Sequence, residues 1–163
     1  VLGTATATGM IFMIVLGAGL YNTFLALSQL PQEAATTVAG WGLSPILVLV
    51  AILVLYVILG CFMDSLSMIL LTIPVFFPII MALDFGLPPE ELAIWFGILV
   101  LIVVGVGLIT PPVGMNLFVI NSMARDVPIT HTYRAIMPFV TSDFVRTAIL
   151  VAFPSITLFM LRL

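Results

Sequence analysis

Hydrophobic positions along this chain do not alternate with polar ones; they run together in four blocks parted by short polar interludes. That pattern predicts helices that meet apolar surroundings on every side, as a helix does in a membrane. The first block, 4–30, predicts one transmembrane helix. Its Thr4, Thr6, Thr8, Gly9, Gly17 and Gly19 are small residues that let helices approach closely in lipid. Residues 31–44 then form a polar link, where Pro31 suits a first helical turn and Trp41 a membrane interface.

The second block, 45–83, is too long for one helix and too short for two comfortable spans. It divides into Ile46–Gly60, a break at Cys61-Phe62-Met63-Asp64-Ser65, and Leu66–Leu83. Each arm has roughly 15–18 residues, about 22–27 Å at 1.5 Å per residue. Two readings stand: a re-entrant helical hairpin, or two short spans joined by a loop. A loop in water would carry several charges, whereas this break offers one Asp and two Ser amid Phe62, Met63, Leu66 and Met68, which favours the hairpin. Non-helical backbone at membrane depth persists only where protein or a water-filled cavity surrounds it.

The third block, 92–124, carries Gly105-Val106-Gly107-Leu108-Ile109-Thr110-Pro111-Pro112-Val113-Gly114 at its centre. Adjacent prolines remove two amide donors and clash with the preceding turn. The segment therefore predicts a broken helix, with halves near Leu92–Gly107 and Val113–Ala124. The last block, 138–161, predicts an ordinary span with Pro154 near its far end. Thr72, Pro74 and Pro78 are expected to bend the second hairpin arm.

Composition turns this pattern into a class. Of 163 residues, 63% are hydrophobic and 7% are charged, against the quarter or so of charged residues that a soluble domain uses for its shell. The expected fold is all-α and integral to a lipid bilayer. All four cations, Arg125, Arg134, Arg146 and Arg162, follow residue 124, so there is no basic patch for nucleic acid. Cys61 stands alone, which excludes an internal disulfide and a cysteine-rich metal site. The opening Val1-Leu2-Gly3 lies in an apolar region with no basic leader before it, and reads as the start of the C-terminal part of a longer protein.

Charge also predicts topology. The links at 31–44 and 84–91 carry Glu33, Asp84, Glu90 and Glu91 but no cation, whereas 125–134 carries Arg125 and Arg134. The positive-inside rule puts the last loop in the cytoplasm and the acidic links outside. Arg162 then falls outside, against the rule.

Helix breaks at membrane depth are the chemical signal. A peptide group left unpaired there costs several kcal/mol, so breaks survive when the freed groups bind something. Freed carbonyls attract cations, half-helix N-termini attract anionic groups, and paired Gly/Pro interruptions mark transporter sites. Asp64 would cost about 2.5–3.5 kcal/mol at mid-membrane without a partner. It reads either as the N-cap of the second arm or as an ion ligand, and the two roles can coexist. Hard oxygens at Asp64, Ser65, Ser67, Thr110 and Asn116 suit sodium; no second carboxylate, His or Cys beside them suggests a transition metal. Thr110-Pro111-Pro112 reads as a binding break or as a packed kink. Asn116 is the better site candidate and Asn121 the better interface residue. Asp143 and Arg146 are expected to pair locally, His131 to be a solvated loop residue, and the methionines to be packing filler.

At these residues the chain resembles the large membrane (permease) subunit of tripartite ATP-independent periplasmic (TRAP) transporters, in its C-terminal half. The resemblance rests on Gly60-Cys61-Phe62-Met63-Asp64, Pro74-Val75-Phe76-Phe77-Pro78, Gly107-Leu108-Ile109-Thr110-Pro111-Pro112-Val113-Gly114 and Arg134-Ala135-Ile136-Met137-Pro138-Phe139. It implies an elevator-type fold of inverted repeats, each with a re-entrant hairpin and a broken helix. It also implies sodium-coupled uptake of small organic carboxylates. The implied partners are a small membrane subunit and a periplasmic binding protein, in a multi-pass protein of the bacterial inner membrane, with sodium as coupling ion and no cofactor. Position by position, Gly60, Asp64, Ser65, Gly107, Thr110 and Gly114 would hold sodium. Ser67, Pro111, Pro112 and Asn116 would face substrate. Two other classes remain: a channel or structural subunit lined by the broken helices, and an intramembrane aspartyl protease, for which Asp143 is a poor partner to Asp64.

Overall fold

The computed structural model describes residues 2–110, 114–123 and 128–159, and all regular structure among them is helical. The order is α1 (Leu2–Ser28), α2 (Leu30–Gly40), α3 (Pro45–Gly60), α4 (Ser65–Met81), α5 (Pro89–Ile109), α6 (Met115–Met123), α7 (Ile129–Ala152) and α8 (Pro154–Leu158). Helix is the expected outcome, because it satisfies each segment's amides internally where water is absent. Among the described residues, three helices are long and apolar enough to cross a bilayer: α1 over Gly3–Ser28, α5 and α7. The apolar helices α3 and α4 are shorter, at 16 and 17 residues. At 1.5 Å per residue they extend about 24 and 26 Å, less than the roughly 30 Å hydrocarbon core.

The chain divides into two compact units, one holding residues up to Leu43 with Leu66–Leu83, the other Ser44–Ser65 with residues from Asp84 onward. In the first unit, α1 and α2 meet at Gln29, which takes the left-handed conformation (φ 55°). Residues 31–44, expected as a polar link, thus carry most of a helix. Pro31 sits in its first turn, where a missing amide is harmless. Most of α1 is bare, with Phe12 and Met13 each 70% exposed, as suits hydrocarbon contact. In α4, Pro74 and Pro78 lie inside the helix, and the Thr72 hydroxyl donates to the Met68 carbonyl at 2.6 Å.

The second unit is organised by α5, which packs on α3, α6, α7 and α8. Tyr56, Leu49, Trp95, Phe96, Leu99 and Val100 are fully buried in it. Trp95 also mends a defect. Pro154 has no amide to give the Leu150 carbonyl four residues back, and the Trp95 indole Nε1 donates to that carbonyl instead, at 2.9 Å. The Phe85 ring meets Trp95 edge to face, 5.6 Å between centroids. The last span begins earlier than its hydrophobicity suggested: α7 starts at Ile129, so the exposed His131 and Arg134 stand on a helix rather than in a loop. The expected Asp143–Arg146 pair is present at 2.9 Å.

Candidate functional site

Both expected breaks exist. The first follows α3, where Cys61-Phe62-Met63-Asp64 leave the helix before α4 resumes at Ser65. Its backbone tightens on the way out, the Phe62 and Met63 amides both donating to the Leu59 carbonyl at 3.0 and 2.9 Å. The second follows α5, which ends at Ile109; α6 starts at Met115. Pro111 and Pro112, expected to face substrate, lie outside the described residues.

The two breaks meet through glycine. A Cβ placed on Gly60 would stand 2.9 Å from the Gly107 Cα, and one on Gly107 would stand 2.9 Å from the Gly60 Cα and 3.1 Å from the Val57 carbonyl oxygen. Carbon atoms in ordinary contact are about 3.5–4.0 Å apart. Helices α3 and α5 therefore touch backbone to backbone near their C-terminal ends, which only glycine permits at both positions. Gly60 and Gly107 are both buried.

This crossing carries Cys61 to the second break. Its buried thiol lies 3.3 Å from the Val57 carbonyl oxygen and 3.4 Å from that of Thr110. Thr110 leaves the helix with extended backbone (ψ 131°), its amide still donating to the Gly107 carbonyl at 3.2 Å. The Thr110 hydroxyl turns back to the Val106 carbonyl at 2.6 Å, so it is spent within α5. Beyond the interruption, Gly114 has φ 57°, where a side chain is strained, and its carbonyl accepts the Leu117 amide at 2.8 Å to begin α6. A Cβ on Gly114 would also lie 3.3 Å from the Thr110 carbonyl oxygen.

Of the residues expected to hold sodium, Gly60, Gly107, Thr110 and Gly114 thus come together directly. Asp64 is exposed at the N-cap position of α4 and already engages a partner; Ser65 and Ser67 are half-buried in that helix's first turn. Asn116 is exposed on α6, and the side-chain oxygen of Asn121 is buried without a hydrogen-bond partner among the described residues. Cys61, absent from the expected set, is the side chain that touches both breaks. Its sequence signal is its place in the first break, directly after Gly60. What the arrangement offers chemically is a set of peptide oxygens at two helix ends, the donor type preferred by hard monovalent cations.

A family model described as "Tripartite ATP-independent periplasmic transporter, DctM component" matches residues 1–156. The large permease protein of a C4-dicarboxylate TRAP transporter from Pseudomonas aeruginosa is 36% identical over 151 residues, 93% of this chain and 34% of that protein. That of a sialic acid TRAP transporter from Vibrio cholerae is 30% identical over 155 residues, 95% of this chain and 35% of that protein. An isethionate TRAP transporter permease from Oleidesulfovibrio alaskensis is 28% identical over 159 residues, 98% of this chain and 24% of that protein. The chain spans about a third or less of the length of these relatives.

Proposed function

We infer the function from one premise: the chain belongs to the DctM component family of tripartite ATP-independent periplasmic transporters. Membership puts it in the bacterial inner membrane, among transport proteins rather than enzymes. On that premise the protein takes part in secondary uptake of small organic acids, with a sodium gradient as the driving force. A periplasmic binding protein delivers the solute and a small membrane subunit completes the permease. The relatives' named cargoes are a C4-dicarboxylate, sialic acid and isethionate. Their shared chemistry is a small organic acid, and a carboxylate is the headgroup expected here.

One observation carries the reading: the Gly60–Gly107 contact that brings the two helix ends together. Peptide carbonyls released at both ends, with the Asp64 carboxylate following the first, supply oxygen ligands for sodium. Residues 45–83 then act as a re-entrant hairpin with its tip at 61–64, an assignment favoured by arms shorter than a bilayer is thick. Residues 92–124 are the broken helix beside it, and the two make up one repeat of an elevator-type carrier. The residues expected to meet substrate are Ser67, Asn116 and, outside the described residues, Pro111 and Pro112.

The experiment is uptake into proteoliposomes by the full-length permease with its small subunit and binding protein. Accumulation should require an inward sodium gradient and the binding protein together. Flux that needs neither would identify a channel and overturn the reading.

A further inference from the structure

The crossing of α3 and α5 does more than bring two breaks near each other. Gly60 and Gly107 leave no gap between the helices, so the end of one cannot shift without moving the other. Cys61 follows directly, and its sulfur lies 3.4 Å from the Thr110 carbonyl oxygen at the near side of the second interruption. A thiol has one proton and here two carbonyl acceptors. Val57 already receives the Cys61 amide at 3.2 Å. The Thr110 carbonyl lies past the last turn of α5. Thr110 cannot hold its own peptide from the outer side, because its hydroxyl is committed to Val106.

We propose that Cys61 is a positioning residue for the coupling ion: its thiol, carried on the Gly60–Gly107 contact, aims the Thr110 carbonyl oxygen at the ion site. This rests on the sodium reading above. The carbonyl has two lone pairs, so it accepts the thiol proton on one side and meets the cation on the other. The thiol never coordinates sodium; it stiffens the peptide that does. A weak S–H···O bond is enough for this task, since the glycine contact has already removed most of the freedom.

The test uses the full-length permease with its small subunit and binding protein, comparing the parent with Cys61→Ala and Cys61→Ser. Cys61→Ala should raise the half-saturating sodium concentration for uptake roughly two- to fivefold, the scale of one weak hydrogen bond. The maximal rate at saturating sodium and the yield of folded protein should stay near the parent's. Cys61→Ser keeps one donor proton and should recover most of the loss. A second readout is independent of transport: the alkylation rate of Cys61, followed by mass spectrometry on its peptide, should change with sodium and not with potassium. An unchanged or lowered half-saturating sodium concentration in Cys61→Ala, or alkylation indifferent to sodium, overturns the proposal. Uptake by the parent that ignores the sodium gradient overturns the sodium reading itself, and this inference with it.

Discussion

Gly107→Ala tests the helix contact most directly. The added methyl carbon would meet the Gly60 Cα at 2.9 Å and the Val57 carbonyl oxygen at 3.1 Å. Restoring ordinary separations of about 3.5–4.0 Å requires α3 and α5 to part by roughly 0.6–1 Å at the crossing. Two opposed terms decide the outcome. Over-packing of this kind costs about 1–3 kcal/mol, whereas Gly→Ala in a helix gains up to about 1 kcal/mol. Gly105 stands on the same helix with nothing within 4 Å of an added Cβ, so Gly105→Ala gains the second term without the first. The difference between the two variants therefore isolates the overlap, and Gly107→Ala should be less stable than Gly105→Ala by about 1–3 kcal/mol. Denaturant unfolding of the full-length permease in mixed micelles, followed by tryptophan fluorescence, measures it. A shift of 0.6–1 Å also exceeds the roughly 0.5 Å that a preorganised site tolerates. Gly107→Ala should thus weaken sodium dependence while Gly105→Ala leaves it alone. Equal stability of the two variants would mean that the backbones do not touch, and the link between the breaks would be lost.

Gly114→Ala forces a side chain into left-handed backbone and should cost about 1–2 kcal/mol in the same unfolding measurement, with loss of uptake. Trp95→Phe removes the donor that satisfies the Leu150 carbonyl above Pro154. It should cost about 1–3 kcal/mol, with faster amide exchange around Phe153 by mass spectrometry. Asp64→Asn retains a capping side chain but removes the charge, so sodium-dependent uptake should fall further than the amount of folded protein; parallel losses would leave only the capping role.

The helix breaks themselves were readable from the chain because they depend on local chemistry. Two prolines in succession cannot continue a helix, and a polar kink without loop-like composition marks 61–64. The Asp143–Arg146 pair was equally local. Polarity is a weaker guide to where helices begin. Residues 31–44 looked like a link, yet Pro-Gln-Glu-Ala-Ala has no residue that opposes a helix once Pro31 fills the first turn. The start of α7 at Ile129 is not legible in hydropathy, because polar side chains mark the edge of an apolar region, not the end of backbone hydrogen bonding.

Composition alone determined that this is a helical membrane protein, and the glycines and prolines determined where its helices stop. Which faces meet was decided only by the tertiary structure. Both α3 and α5 are apolar on every side, so no stripe of hydrophobic residues distinguishes the buried face from the lipid-facing one. In such helices the fit of shapes chooses the contact. That fit singled out Gly60 and Gly107 from the chain's other glycines, and set Cys61 against Thr110.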